Sequence, residues 1–521
     1  MNPLKTRLVL HQRELTVYAR DPGSLLEIIV QAGVAMDAPC AGIGRCGKCR
    51  VRVEGGLPPD NVERSLLPDD EIKSGIRLAC RKRHLPSGLT IRLLQTEKDP
   101  ARETYEVEPA DMSIAVDLGT TTIVIAPINL SDGTVMAVRS ILNPQRVYGA
   151  DVVSRIKAAL DRAVLDKMTE MTVDAISAEI RGILAAIGLG ADRVRHIYVA
   201  GNTTMEHIVS GADVSGLAKA PYTPAFHDKR QVPNLASRSG VAAEIVELFP
   251  VIGGFVGGDT VASLLACAMD IADEPVALVD IGTNAEIAIG SRAGILVSSA
   301  PAGPAFEGGQ IRHGMRAQDG AIEDLHLVQD SVSLDVRGGV APAGICGSGL
   351  IRIVSELLKA GVITADGEML RAGAIGSNLF LRVMERAGEQ AFVLHRSYDR
   401  EVSLYQSDVR ALQLAKASIA AGLAVLMERT GVVPSSLYIA GAFGNYLRPD
   451  DLASIGMVPS GLAERTYFIG ESVIAGIKRF VINRPAVDRE GLLAHIRHIE
   501  LADDTTFNRR FLSMLPLRAF K

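Results

Sequence analysis

The sequence Pro39-Cys-Ala-Gly-Ile-Gly-Arg-Cys-Gly-Lys-Cys49 decides the fold of the first part of the chain. It places Cys40, Cys46 and Cys49 in one short loop, and a fourth thiol, Cys80, follows further along. Glycines separate the three thiols, and glycine has no Cβ to keep backbone amides away from a bound group. This arrangement predicts a site that holds metal through sulfur.

The loop resembles that of [2Fe–2S] ferredoxins. Four thiolates complete the tetrahedral coordination of two irons, and small residues let N–H groups approach the sulfides and raise the reduction potential. The first spacing is C-x5-C rather than the plant-type C-x4-C, so the loop is more similar to adrenodoxin-like and bacterial variants. We therefore expect Cys40, Cys46, Cys49 and Cys80 to ligate a [2Fe–2S] cluster.

Other interpretations of this loop stay open. A zinc site with four cysteine ligands usually shows two C-x2-C pairs, whereas only Cys46 and Cys49 form one here. Disulfides are a further alternative. The stretch Gly42–Gly47 also matches G-x-G-x-x-G, but it follows a predicted helix rather than a strand, so the context of a dinucleotide-binding turn is absent.

The residues around the loop predict a β-grasp ferredoxin domain. The pattern predicts a hairpin, a helix and two further strands, at Arg7–His11, Leu15–Tyr18, Ser24–Ala35, Cys49–Val53 and Leu89–Leu93. The charged, proline-bearing stretch that follows suits a linker better than a core element. We expect a [2Fe–2S] ferredoxin-like domain at residues 1–94 and a linker at residues 95–112.

Two similar turns mark the rest of the chain. Ser113–Ala126 contains an apolar strand, Asp117, a Gly-Thr turn and a second apolar strand, and Val276–Ile289 repeats this pattern around Asp280. The repeat predicts internal duplication. Glycine lets amides approach phosphate oxygens, Thr or Asn side chains add donors, and an aspartate can hold Mg²⁺ through water or orient an attacking water. The candidate phosphate-binding residues are Gly119, Thr120, Thr121, Thr122, Gly282, Thr283 and Asn284. Either turn taken alone is also consistent with an ordinary tight hairpin.

Two glycine clusters follow, and both could leave room for a base and ribose. They are Gly344, Gly347, Ser348 and Gly349, which run into a predicted helix over Leu350–Leu358, and Gly441 and Gly444, which follow a predicted strand. For either cluster alone, a packing role is an equally good explanation.

With these motifs in this order, the chain resembles the ATPase superfamily of sugar kinases, heat-shock chaperones and actin. That resemblance implies two duplicated ribonuclease-H-like lobes, which we place at residues 113–272 and 273–521. It places Asp117 in the phosphate 1 motif, Asp280 in the phosphate 2 motif and the glycine clusters around the adenosine. Phe255–Ala262 looks like the start of the helix joining the lobes, where sugar-kinase-like members keep a catalytic aspartate. Asp259 is the candidate, and a plain helix N-cap is the alternative.

A ferredoxin domain fused to such an ATPase is similar to the ATP-dependent reductive activators of corrinoid enzymes. The resemblance covers nearly the whole chain and includes the strings Tyr148–Ile156, Ala200–Met205, Gly303–Gly308, Gly344–Leu350 and the closing Ile499–Met514. It implies one-electron reduction of inactive Co(II) to Co(I), with a [2Fe–2S] cluster, ATP and Mg²⁺ as cofactors. It also implies two partners, a corrinoid protein in the Co(II) state and an upstream electron donor. Longer members carry a larger linker associated with dimerisation, so a homodimer stays open here.

Three other functions remain possible from the sequence. The first is an electron-transfer ferredoxin whose large domain binds a nucleotide without hydrolysing it. The second is an ATP-driven activator of another reductive enzyme, such as those of 2-hydroxyacyl-CoA dehydratases, which lack a ferredoxin domain. The third is a sugar or acid kinase, which would leave the cluster without a role.

Composition excludes several classes of partner. The net charge of −5 and the absence of a basic stripe argue against nucleic acid. Apolar runs are broken well short of a membrane span, and no cleavable signal precedes the ferredoxin strands. Cys267 and Cys346 lie on apolar or glycine-rich stretches and read as packed thiols. We therefore expect a cytoplasmic protein without a membrane partner.

Overall fold

A computed structural model describes most of the chain. The described residues are 4–10, 13–19, 24–26, 29, 49–54, 57–82, 90–93, 111–328, 331–398, 400–441, 447–483, 493–502 and 504–520. The chain divides into two compact units, residues 1–259 and 260–521. The finer domain boundaries given above stay a prediction.

The N-terminal region forms one mixed five-stranded sheet. Its elements are β1 Leu4–Leu10, β2 Arg13–Ala19, β3 Arg50–Glu54, α1 Asn61–Leu66, α2 Asp69–Lys73, β4 Ile76–Leu78 and β5 Thr90–Leu93. The strand order is β2-β1-β5-β3-β4, in which only β1 and β5 run parallel. This order confirms the β-grasp prediction. Of the predicted helix Ser24–Ala35, Leu25, Leu26 and Ile29 are helical and buried, and residues 27, 28 and 30–35 lie outside the described part.

The first lobe is built on a second five-stranded sheet. Its elements are β6 Met112–Leu118, β7 Thr122–Asn129, β8 Arg139–Leu142, α3 Val152–Ala159, α4 Arg162–Ile187, β9 Val194–Gly201, α5 Thr203–Val209, α6 Leu235–Ser239 and β10 Ile245–Leu248. The next helix, α7 Gly258–Ala266, begins at the end of the first unit and continues into the second. The order is β10-β9-β6-β7-β8. β6, β7 and β8 pair antiparallel, and β9 and β10 add to the edge in parallel.

The amphipathic helix of this lobe is longer than the apolar face at Thr172–Ile187 indicates. It begins at Arg162, because the side chain of Asp161 accepts hydrogen bonds from the amides of the first turn and because Leu165 and Met168 continue the buried face. It ends at Ile187, because Gly188 caps it with a left-handed φ of 70°.

The second lobe carries a six-stranded sheet and two small antiparallel or mixed sheets. Its strands are β11 Val276–Ile281, β12 Ala285–Ser291, β13 Gly294–Ala300, β14 Ala321–Val328, β15 Ser331–Val336, β16 Gly344–Ile345, β17 Val383–Arg386, β18 Glu389–Arg396, β19 Glu401–Tyr405, β20 Leu437–Ala440, β21 Thr466–Gly470 and β22 Ile496–His498. Its helices are α8 Gly347–Lys359, α9 Gln406–Thr430, α10 Pro449–Ser454, α11 Ser472–Ile482 and α12 Thr505–Ser513.

The two large sheets have the same pairing. The six-stranded order is β21-β20-β11-β12-β13-β22, so β13-β12-β11-β20-β21 repeats β8-β7-β6-β9-β10 with the same antiparallel and parallel neighbours. The predicted duplication into ribonuclease-H-like lobes is therefore confirmed. In both sheets the candidate phosphate turn joins the central strand to its antiparallel neighbour.

One helix of the second lobe, α9, is long and apolar enough to cross a membrane by length and composition alone. Within its most apolar window, 83% of the residues are buried inside the unit, as is usual for a core helix. Its residues contribute to the largest apolar cluster of the described chain. We therefore read α9 as part of the core of the lobe.

Candidate functional site

The third and fourth cysteines of the predicted cluster site lie side by side. Cys49 precedes β3 and Cys80 follows β4, and the antiparallel pairing of these strands brings the two Sγ atoms to 3.3 Å. Both thiols are buried, and neither forms a disulfide. The hydrogen bond with Cys80 lowers the pKa of Cys49 to about 7, against the opposing effect of burial. Two converging thiols, of which Cys49 has a lowered pKa, fit iron ligation, and Cys40 and Cys46 lie outside the described residues.

A buried ion pair holds the segment that carries Cys80. The carboxylate of Glu63 is fully buried, accepts a hydrogen bond from the Leu78 amide at 2.8 Å and contacts the ammonium of Lys82. Lys82 also donates to the carbonyl of Pro58 at 2.7 Å. On the other side, the amide of Ala79 donates to the carbonyl of Cys49 at 2.8 Å. The chain around the fourth thiol is thus fixed from two directions.

The first candidate phosphate turn is held through its carbonyl groups. Asn143 donates from its side chain to Gly119 O at 2.8 Å and from its backbone to Thr121 O at 2.9 Å. Arg155 donates to Thr120 O at 2.5 Å. In the part of the chain that the structure describes, the amides of Gly119, Thr120 and Thr121 donate to no backbone carbonyl. These amides take no part in backbone pairing, which suits a loop that binds an anion.

Asp117 and the glycine of the same turn occupy the expected positions. Asp117 is half-buried near the end of β6, where it pairs with Val124 on β7 and with Ala200 on β9. A Cβ on Gly119 would lie 2.6 Å from the carbonyl oxygen of Thr122, so only glycine fits this tight turn.

Helix α5 links this turn to the start of α7. Asn202 caps α5 by accepting from Met205 N at 3.1 Å, and its side-chain amide donates to Thr120 Oγ1 at 2.9 Å. One turn later, Glu206 is fully buried and accepts from the amide of Gly201 at 2.9 Å. A Cβ on Gly258 would lie only 2.3 Å from Glu206 Oε1. The start of α7 is therefore packed directly on this carboxyl group.

Asp259 lies inside α7, as its second residue, with a half-buried side chain. The expectation that it is the N-cap is wrong in position, because the helix already begins at Gly258. Its negative charge still suits the first turn of a helix. Burial and, to a lesser degree, the charge of Asp259 raise the pKa of Glu206 well above its usual value.

The second candidate phosphate turn is shorter and has its own supporting residue. The amide of Gly282 donates to Asn284 O at 3.0 Å. The hydroxyl of Thr283 donates to Glu307 Oε1 at 2.6 Å, and the amide of Gly303 donates to Thr283 O at 2.8 Å. The stretch Gly303–Gly308 thus packs against this turn.

Asp280 lies beside the second glycine cluster. It is half-buried on β11 and pairs with Glu286 and Ala440, and its carboxylate accepts from the hydroxyl of Ser263 at 3.5 Å. Gly441 follows β20 with a φ of +106°, and a Cβ there would lie 3.5 Å from Asp280 Oδ1. Gly441 therefore lies beside the aspartate of the second candidate turn, and Gly444 lies outside the described residues.

The cluster at Gly344–Gly349 lies on another sheet, in β16 and the first turn of α8. Gly344, Gly347, Ser348 and Gly349 are all buried. A Cβ on Gly344 would lie 2.5 Å from His313 O, and one on Gly349 would lie 2.0 Å from Ile322 O. Close packing accounts for these glycines, and their contact with an adenosine stays a prediction.

Several residues of the site belong to no motif that can be recognised from composition or spacing. Arg155, Asn202 and Glu307 support the two phosphate turns, and Glu206 supports the start of α7. The only sequence signal for them is their place in or beside the strings Tyr148–Ile156, Ala200–Met205 and Gly303–Gly308. These strings carry the family resemblance, but the resemblance assigns no role to their residues.

Similarity to known proteins covers the whole architecture. Residues 8–83 match the 2Fe-2S iron-sulfur cluster binding domain, residues 112–272 match the RACo middle region, and residues 274–520 match the C-terminal domain of RACo, the ASKHA domain. The corrinoid activation enzyme RamQ of Eubacterium limosum is 29% identical over 419 residues, which are 78% of this chain and 70% of that protein. A [Co(II) methylated amine-specific corrinoid protein] reductase of Methanosarcina barkeri is 24% identical over 444 residues, which are 77% of this chain and 76% of the relative.

A solved structure agrees in fold over almost the full length. The reductive activator for corrinoid, iron-sulfur protein superposes with a TM-score of 0.69 at 25% identity and covers 99% of this chain and 98% of its own. The matched domains support an iron–sulfur cluster in the N-terminal domain and nucleotide binding in the lobes. The chain belongs to the family of ATP-dependent reductive activators of corrinoid enzymes, with a ferredoxin domain ahead of an actin-like ATPase fold.

Proposed function

We propose that this protein reduces the inactive Co(II) form of a corrinoid protein to Co(I), using one electron from a [2Fe–2S] cluster and energy from ATP. The observation that carries the proposal is that one chain combines the converging thiols of Cys49 and Cys80 with two duplicated phosphate turns. Relatives over more than three quarters of the chain are named for corrinoid activation and for reduction of a Co(II) corrinoid protein.

We assign the cluster ligands to Cys40, Cys46, Cys49 and Cys80. When bound, the cluster supplies one-electron storage at a potential set by ligands, hydrogen bonds and solvent exposure. The chain contributes by holding the Cys80 segment through Glu63 and Lys82 and by lowering the pKa of the Cys49 thiol.

We assign nucleotide binding to the two turns. Gly119–Thr122 and Gly282–Asn284 would donate amides and hydroxyls to phosphate oxygens, and Asp117 and Asp280 would hold Mg²⁺ through water. Asp280 or Asp259 would orient the attacking water.

The energy of ATP is needed because the electron moves from the cluster to a cobalt centre of lower reduction potential. For transfer of one electron, each tenfold decrease in the equilibrium constant corresponds to about 59 mV of potential difference. A difference of a few hundred millivolts between donor and acceptor therefore costs several kcal/mol. We propose that closure of the lobes on ATP changes contacts with the Co(II) partner and favours a state that is easier to reduce. An upstream electron donor would reduce the cluster again after each transfer. We also propose that the protein acts in the cytoplasm.

The test is ATP-dependent formation of Co(I) absorbance in a purified Co(II) corrinoid methyltransferase protein from the same cell, under anaerobic conditions with the cluster reduced. We expect Co(I) only when ATP and the intact cluster are both present. The variants Asp259→Asn and Asp280→Asn, compared at equal cluster content, separate their roles in ATP turnover. Normal cluster reduction with persistent Co(II) across several corrinoid partners would instead favour an electron-transfer protein with a non-hydrolysing nucleotide domain.

A further inference from the structure

Arg155 is a fully buried cation beneath the first phosphate turn. It donates to Gly149 O at 3.0 Å, to Thr120 O at 2.5 Å and to Met205 Sδ at 3.1 Å. All three acceptors are neutral. Among the described residues, no carboxylate forms an ion pair with Arg155, although Asp151 acts on it at longer range.

A buried charge without a counter-ion is costly for a folded protein. Burial, together with the nearby charge of Arg146, lowers the pKa of Arg155 to about 9, so the guanidinium remains charged at neutral pH. Arg146 is itself buried in the same lobe. Arg155 therefore places positive charge behind the loop, and an anion bound at that loop would balance it.

The hydrogen bonds also set the direction of the loop amides. In a trans peptide the C=O and the following N–H point in opposite directions. Because Arg155 holds Thr120 O from behind, the amide of Thr121 points away from Arg155. Asn143 holds Gly119 O in the same way, which directs the amide of Thr120.

We propose that Arg155 is a positioning residue for nucleotide phosphates, which turns the Thr121 amide outward and supplies buried positive charge to the anion that this amide binds. The role rests on the proposed nucleotide site and adds the group that gives phosphate 1 its preference for anions. It predicts that the effect of Arg155 on ligand affinity increases with the negative charge of the ligand and does not depend on the nucleoside.

The experiment measures binding of ATP, ADP and adenosine to the cluster-loaded full chain by calorimetry. For Arg155→Met we expect ATP and ADP to bind about tenfold to a hundredfold more weakly, the value of a hydrogen bond to a charged group, with adenosine binding unchanged. Arg155→Lys keeps the charge without the planar fork and should fall between the parent and Arg155→Met. The matched control is Arg162→Met, because Arg162 is exposed on the neighbouring helix α4.

Four results would contradict the role proposed for Arg155 or the site on which it rests. Equal loss of adenosine and ADP affinity in Arg155→Met would show a general structural role and overturn the inference. Unchanged ADP affinity would overturn it too, while leaving the nucleotide site in place. If the parent binds no nucleotide, the proposed function fails as well. If Arg155→Met does not fold, Arg155→Lys decides alone, since parental affinity for ADP in that variant would contradict the need for the fork.

Discussion

The side-chain amide of Asn202 donates a hydrogen bond to the hydroxyl oxygen of Thr120 at 2.9 Å, while its carbonyl caps helix α5. Since the Thr120 hydroxyl oxygen accepts this hydrogen bond, its own hydrogen can point at a phosphate oxygen. For Asn202→Ser, which keeps a capping oxygen but cannot donate in the same way, we expect KM for ATP to rise about threefold to tenfold with little change in stability.

Asn202→Ala is the matched comparison for that variant. It loses the tie to Thr120 and also the cap, so it should lower the free energy of unfolding by about a further 1 kcal/mol. Steady-state ATPase kinetics and thermal unfolding measured on both variants separate the two effects. An unchanged KM in Asn202→Ser would show that the Thr120 hydroxyl does not serve the nucleotide.

Cys80→Ser should abolish the cluster, because it removes the fourth thiolate next to Cys49. Cys267→Ala is the control, since burial raises the pKa of Cys267 to about 12 and its thiol donates to the carbonyl of Leu264, three residues earlier. After anaerobic reconstitution, we expect about two irons per chain and visible absorbance in the parent and the control only. Equal iron in Cys80→Ser would remove that residue from the ligand set.

Lys82→Met should strongly destabilise the ferredoxin domain. It leaves the fully buried Glu63 carboxylate without its ammonium partner, and breaking a buried pair in this way typically costs about 3 to 5 kcal/mol. The double variant Glu63→Leu/Lys82→Met removes both charges and should recover part of that loss. Loss of cluster absorbance on heating gives the readout, and a double variant less stable than Lys82→Met would contradict the explanation.

Glu206→Gln should change how stability depends on pH. The pKa of Glu206 is raised well above 4.5 by burial, so the folded protein keeps this proton while the unfolded chain loses it above about pH 4.5. Stability of the parent therefore falls as pH rises from there toward the folded pKa, by up to about 1.4 kcal/mol per pH unit, and glutamine removes this dependence.

The readout is the difference in Tm between Glu206→Gln and the parent, which should grow in favour of the variant between pH 5 and pH 7. Glu206→Ala serves as the comparison, because it loses the hydrogen bond from Gly201 and leaves a cavity at every pH. A pH-independent difference between the glutamine variant and the parent would mean that Glu206 is ionised in the folded protein.

The order of elements was predictable because it rests on local patterns. The apolar strands β6 and β11, the aspartate near the end of each and the glycine turn after it predicted the duplication. The cysteine spacing and the strand pattern around it predicted the β-grasp domain. The exact start of α4 was not predictable from its apolar face alone, because capping by Asp161 extends the helix beyond Thr172.

The supporting residues of the site depend on tertiary contacts between distant segments. Arg155 reaches Thr120 across 35 positions of sequence, and Asn202 reaches it across 82. No spacing rule connects such residues before the sheet is formed. The burial of Gly344 and Gly349 is likewise a property of packing against other segments, which a run of glycines does not reveal.

The two phosphate hairpins differ in the length of their turns. Leu118 pairs with Ile123, whereas Ile281 pairs with Ala285, so the first turn has one residue more. The two halves thus share the pattern of the hairpin but not the length of its turn. A chimera with Gly282–Asn284 in place of Gly119–Thr122 would lose Thr122, which pairs with Leu142 on β8. The second turn therefore cannot replace the first without the loss of a contact between β7 and β8.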